Sequence, residues 1–219
     1  MEPYRYLKEM FGIVEGTAID NVLDIGLGSA PIVGKIYQSY KFMKLEKRMN
    51  INQKQLLTIK TKIENSENER FYKQEIFPLI VKKLMEDDED EKAKVIIDGF
   101  EYFIDNNLKE VERIYHYYDV LTELRYSDII LLIDRYFPTD MRKIKPLQST
   151  WFINEWERAR YQEKDAIINY QVNKLIRLGL LKEEEVFIDE GYTRESIYKV
   201  IITDFGRRFL EFFAFDEDE

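Results

Sequence analysis

Apolar residues recur every three or four positions over most of this chain and alternate with polar ones only near its end. Phe42, Leu45, Met49, Asn52, Leu56, Ile59 and Ile63 are spaced 3, 4, 3, 4, 3, 4, which predicts one long helix from about Ile32 to Ile63. Asn65-Ser66-Glu67-Asn68 reads as a turn, and helical patterns follow at 67–85, 88–106, 108–124 and 127–137, the last opened by Ser127 and Asp128. Pro138-Thr139-Asp140 breaks the pattern before a basic linker from Arg142 to Pro146. Helices are expected again near 149–161 and 164–179. In the second, Ile167, Ile168, Val172, Leu175 and Ile176 mark the apolar face, and Gly179 supplies the left-handed residue that ends it.

The period then changes. Val186–Ile188 and Ile197–Ile202 are β-rich runs on either side of the charged loop 189–195. Thr203 is placed to cap a closing helix whose apolar stripe is Phe205, Phe209, Leu210 and Phe213. Helices, a two-stranded wing and a final helix are the order of a winged helix-turn-helix. The expected fold class is therefore mainly α: an N-terminal helical domain with a long basic, coiled-coil-like helix, then a C-terminal winged helix with a small β-hairpin. The expected divisions are a Gly-punctuated segment at 1–34, a helical domain at 35–126, the winged helix at 127–215 and an acidic tail at 216–219. No internal repeat is visible.

The 3–4 spacing has two readings. A heptad seam with one polar member is a coiled-coil signature, in which a core Asn52 costs stability and sets register and strand number. The seam Phe42, Leu45, Met49, Asn52, Leu56, Ile59, Ile63 would then join copies of the chain. Three heptads equally describe an amphipathic helix packed in its own domain.

Charge changes the picture locally. The net charge is −9, which discourages binding to nucleic acid, yet 35–62 holds eight Lys/Arg against the single acid Glu46. Glu86 to Glu91 is an unbroken run of six acids, and Asp216 to Glu219 adds four. From Arg142 to Phe215 thirteen Lys/Arg stand against twelve Asp/Glu, so the winged part is nearly neutral without its tail. The chain has no Cys, which excludes disulfides, thiolate metal sites and Cys nucleophiles and agrees with a reducing compartment. The N-terminus lacks the order of a secretory signal, and no uncharged apolar run approaches a membrane span. A cytoplasmic location is expected.

Candidate chemistry is thin. Val22-Leu23-Asp24-Ile25-Gly26-Leu27-Gly28-Ser29-Ala30 resembles the first motif of class I S-adenosylmethionine-dependent methyltransferases. That resemblance implies a Gly-rich turn against the cofactor. Ala30 stands where a third Gly is usual, and a hundred residues of helical pattern replace the strand–helix alternation of such folds. The methyltransferase reading is a remote alternative. Gly28 and Gly34-Lys35 come near a phosphate-binding loop, but the spacing is one residue too long and Ile36 replaces the hydroxyl that holds magnesium. The 26–34 stretch reads instead as an apolar turn against the helices, with contact to a membrane surface as a minor alternative that Asp20 and Asp24 oppose. His116 is the one histidine and cannot supply a multi-His metal site. The 86–91 run lacks the alternating ligands and Gly of a calcium loop; it reads as a loop entering a helix, or as a partner for the basic helix. No cofactor, metal or catalytic residue is assigned.

Binding is better served. The outer face of the 164–179 helix carries Asn169, Tyr170, Asn173, Lys174 and Arg177, and Arg194 lies at the wing tip. Asn and Arg pair with adenine and guanine edges in the major groove, and Arg194, Arg207 and Arg208 are placed for phosphate. Glu183-Glu184-Glu185, Asp189, Glu190 and Glu195 set negative charge around the wing, which favours a protein target over counterion release from DNA. The layout (GLGSAPIVG, KFMKLEKRM, EDDEDEKAKVIIDGFEYFI and a terminal ITDFGRRFLEFF) resembles uncharacterised bacterial and phage helical proteins, its last string being similar to the end of abortive-infection alpha-type proteins, an antiphage class. That resemblance implies host–phage conflict as the setting and carries over no catalytic residue. The expected role is a non-enzymatic winged-helix protein recognising double-stranded DNA or a protein partner. The alternative is an effector that self-associates through its basic helix without touching DNA.

Overall fold

Asn52 interrupts the long basic helix. In the computed structural model, which describes residues 32–136, 163–190 and 193–213, the expected single helix is two: α1 (Ile32–Ile51) and α2 (Gln53–Glu64). The Asn52 side-chain amide donates to the Arg48 carbonyl at 2.8 Å, the same oxygen its backbone N–H uses at 3.2 Å. An Asn that competes in this way for backbone partners unsettles a helix locally. The chain divides into two compact units, Met1–Thr122 and Glu123–Glu219.

In the first unit α3 runs over 69–86, through a π-helical turn at Tyr72–Ile76. Pro78 explains the turn. It has no N–H to give, and the ladder widens just before it so that the Phe77 N–H reaches Tyr72 O. α4 (Lys92–Asp105) follows, then α5 (Val111–Glu123). Asn107, at φ 48°, closes α4 in the left-handed conformation, with Leu108 N–H donating to Phe103 O at 3.2 Å. α4 is the central element, with Val95, Ile96, Ile97, Phe100, Phe103 and Ile104 all buried.

The seam faces this core. Leu45, Met49, Leu56, Ile59 and Ile63 are buried and Phe42 and Asn52 half-buried, with α1 packed on α3 and α2 on α4. This is the packing of an amphipathic helix within its own unit. Self-association through the same side chains would have to displace α3 and α4.

The second unit holds α6 (Tyr126–Tyr136), α7 (Glu163–Arg177), β1 (Leu181–Glu190), β2 (Thr193–Ile202) and α8 (Asp204–Phe212). β1 and β2 pair antiparallel, with Val186 opposite Ile197 and Glu183 opposite Val200. Both strands are longer than expected, because Lys182 to Glu185 and Asp189 to Glu190 carry charge and low β propensity. The ladder holds them in strand all the same, with Glu184 opposite Lys199 and Asp189 opposite Arg194. Gly179, at φ 75°, ends α7 as expected, and Leu180 N–H returns to Leu175 O at 3.0 Å.

Thr203 fastens the end of the hairpin. Its Oγ1 accepts from Gly206 N at 2.9 Å as the helix cap and donates to Gly179 O at 2.6 Å. Phe209, Leu210, Phe212 and Phe213 are buried beneath, and Phe205 is half-buried. The protein is thus mainly helical, with eight helices among the described residues and a small antiparallel hairpin before the last. The expected helix at 149–161, the linker from Arg142, the Val22–Ala30 motif, the near phosphate loop and the acidic tail lie outside the described residues.

Candidate binding face on α7

The face of α7 is oriented by its polar pairing with α6. Asp128 sits in the first turn of α6, where its Oδ2 accepts the Arg125 N–H at 2.9 Å, the reach-back of a capping box. The same carboxylate takes Gln171 Nε2 at 2.9 Å on Oδ1 and Lys174 Nζ at 2.8 Å on Oδ2. Arg177 lies 3.7 Å from Glu123. Gln171 and Lys174 thus fasten α7 to the first turn of α6, and Val172 and Leu175 are buried.

Asp128 is only 1% exposed. Burial pushes its carboxyl up, but the hydrogen bonds from Lys174, the Arg125 backbone and Gln171 outweigh that and hold it below the usual carboxylate range. The anion is therefore fully met from within the unit.

This pairing revises the expected contact set. Lys174 has a side chain 11% exposed with its ammonium on Asp128, so it serves the fold rather than an outer ligand. Tyr170, Asn173 and Arg177 are exposed, Tyr170 at 67%, and Asn169 is half-buried. Arg194 falls on β2 opposite Asp189, away from α7 in sequence and element. Ile167, expected in the core stripe, is 53% exposed. Its neighbours Ile168, Val172 and Leu175 keep the i, i+4, i+7 spacing, and a residue one step before Ile168 is turned about 100° away. Ile130 on α6 is a further exposed apolar residue. The exposed residues of α7 thus include Ile167 and Tyr170 together with Asn173 and Arg177.

Sequence reasoning passed over Asp128 and Gln171 as site-shaping residues. Asp128 was legible as a helix-start residue, but nothing in the spacing of positions 128 and 174 announces that they meet.

The other charged feature is internal as well. The acidic 86–91 run lies against the basic helix within one chain. Lys47 Nζ reaches Asp90 at 2.6 Å, Arg48 Nε reaches Asp90 at 3.0 Å, and Lys44 lies 3.6 Å from Asp88. The buried Arg48 guanidinium also donates Nη1 to the carbonyls of Leu84 at 2.7 Å and Asp87 at 2.9 Å, where α3 ends. Lys92 pairs with Asp87, and Lys62 with Glu101 and Asp105, both at 2.7 Å. Hydrogen bonding from Lys47 leads the causes that hold the Asp90 carboxyl below its ordinary range; burial opposes it and Arg48 adds to it. Of the basic residues on α1 and α2, Lys44, Lys47, Arg48, Lys60 and Lys62 thus pair with acids of the same unit.

His116 is exposed on α5. Among the described residues no three His, Asp or Glu side chains are grouped to hold a metal ion, and no helix is long and apolar enough to cross a membrane. Comparison with known proteins finds no family model, no curated protein and no solved structure that matches the chain.

Proposed function

We propose that the chain is a non-enzymatic, cytoplasmic binding protein whose C-terminal unit is a winged helix used to dock a protein partner through the outer face of α7. One observation carries the choice of a protein over DNA: Lys174 is held by the buried Asp128, leaving Arg177 as the one exposed Lys or Arg among the described side chains of α7. Phosphate recognition needs several cations aimed outward. A face carrying Ile167 and Tyr170 has the apolar and aromatic make-up of a protein contact.

The terminal ITDFGRRFLEFF string supports the antiphage or prophage setting, and its residues have structural work. Thr203 caps, Gly206 admits the Leu180 carbonyl, and the Phe side chains fill the core. DNA recognition stays the second reading because Asn173 and Arg177 are exposed side by side on the same helix.

The deciding experiment pairs two measurements. Affinity purification from host cells is expected to retain a stoichiometric protein that Tyr170→Ala and Ile167→Glu release. Fluorescence anisotropy with duplex DNA at low salt is expected to stay flat. Salt-dependent duplex binding that Arg177→Ala and Asn173→Ala weaken would replace the protein reading with the DNA one.

A further inference from the structure

One line of exposed side chains runs the length of α7. Glu163, Ala166, Ile167, Tyr170, Asn173 and Arg177 are all exposed and recur at helical spacing, which places them on one side of the helix. Val172 and Leu175 are buried on the opposite side, and Lys174, held by Asp128, lies at the margin of the line. The line is ordered: an acid at its start, an aromatic ring at its middle and a cation at its end. Glu163 and Arg177 each stand seven residues from Tyr170, which is two turns and about 10.5 Å along the axis. Resting on the docking role of α7, we propose that its partner is a second copy of this chain. The two α7 helices lie antiparallel along this line, with Tyr170 at the two-fold axis.

Charge complementarity selects a copy over an unrelated protein. A half-turn about Tyr170 brings Glu163 level with Arg177 of the second chain, and by symmetry does so twice. Parallel pairing would set acid on acid and cation on cation, and sliding the antiparallel pair by a turn separates both attractive contacts. Each Tyr170 ring also comes within one turn of the other chain's Ile167, so the exposed aromatic and apolar groups cover one another. Arg177 gives up little to make the new contact. Its pair with Glu123 is 3.7 Å long with side chains 70% and 58% exposed, and an ion pair so open to water contributes little. One helix pair is a small interface, so the association is weak and depends on concentration.

The test is a charge swap read by sedimentation equilibrium on the purified full chain over a range of concentrations, with thermal unfolding followed for every variant. The natural chain is expected to approach twice the chain mass at the upper end of that range, and folded Tyr170→Ala to keep the single mass. Glu163→Lys and Arg177→Glu are each expected to weaken association by roughly tenfold, since two attractive pairs become repulsive. Arg177→Glu also faces Glu123 within the unit, so Glu163→Lys is the cleaner of the two. The double variant, carrying both changes, is expected to regain most of the natural affinity. A natural chain that stays monomeric, a dimer indifferent to Glu163→Lys, or a folded double variant no tighter than the single ones would overturn the proposal. Capture from cells separates this from the docking role itself. A tagged chain is expected to retain an untagged copy of itself. A chain that stays monomeric yet retains a different host protein, released by Tyr170→Ala, overturns the copy as partner and keeps α7 as the docking face. A chain that neither associates nor captures overturns both.

Discussion

Lys174 Nζ and Asp128 Oδ2 meet at 2.8 Å between α7 and α6, with Asp128 closed from solvent and Lys174 nearly so. A residue expected to meet a ligand instead completes the inner wall of its unit. Removing one member of such a pair leaves the other charge enclosed, which typically costs about 3–5 kcal/mol. Lys174 keeps a little solvent and Gln171 remains, so Asp128→Ala is expected near the low end, about 3 kcal/mol, in urea unfolding of the C-terminal unit. Lys174→Met is expected to cost less, because Gln171 and the Arg125 N–H still serve the carboxylate.

The same carboxylate sets a pH dependence. Its folded pKa lies below its ordinary value, so the unfolded chain binds the proton first as pH falls. The stabilisation is therefore fully present above the ordinary range near pH 4 and drains away below it, through the folded pKa. Comparing urea midpoints of the natural chain and Asp128→Asn between pH 7 and pH 3 checks this. The gap between the two is expected to narrow towards the acid end.

Arg48 joins three parts of the first unit: α1, the end of α3 and the acidic loop. Its guanidinium is 1% exposed and uses two nitrogens on two carbonyls and a carboxylate. Arg48→Ala leaves the Leu84 carbonyl without that donor, and about 3 kcal/mol of destabilisation is expected from the lost charged hydrogen bonds and packing. Arg48→Lys is expected to recover little, since one ammonium cannot reproduce a forked donor. Equal thermal stability of Arg48→Lys and the natural chain would contradict this account.

Gly206 lies within the first turn of α8, where Ala would ordinarily favour the helix by about 1 kcal/mol. Here a Cβ would stand 2.3 Å from the Leu180 carbonyl oxygen and 2.9 Å from Ile202 Cγ1. Backbone cannot yield cheaply, so Gly206→Ala is expected to destabilise by roughly 2–3 kcal/mol, opposite in sign to its propensity. Differential scanning calorimetry of the variant reads the sign directly.

Tyr170 and Lys174 are one turn apart on α7 and are expected to part company on substitution. Tyr170→Ala removes an exposed side chain and should leave the unfolding free energy within about 0.5 kcal/mol of the natural value while abolishing partner capture. Lys174→Ala should lower stability and leave capture intact under conditions where the unit is folded.

How much of this was legible in the sequence varies with the range of the interaction. Local signals were enough for the helices at 69–86, 92–105, 111–123 and 163–177, for Gly179 as a left-handed stop and for Thr203 as a cap, because each depends on residues within a turn or two. Hydrophobic period alone placed Leu45, Met49, Leu56, Ile59 and Ile63 on one face, and it could not say whether their partner was another chain or α3 and α4. Only the tertiary structure decided that, since an apolar stripe looks the same whatever covers it. It also decided that Lys174 and Arg48 point inward, that the acidic loop neutralises the basic helix, and that charged residues 182–185 belong to a strand. Each of those outcomes joins residues 13 to 46 positions apart, and at that separation pairing is chosen by the fold's geometry and not by the chain's local preference.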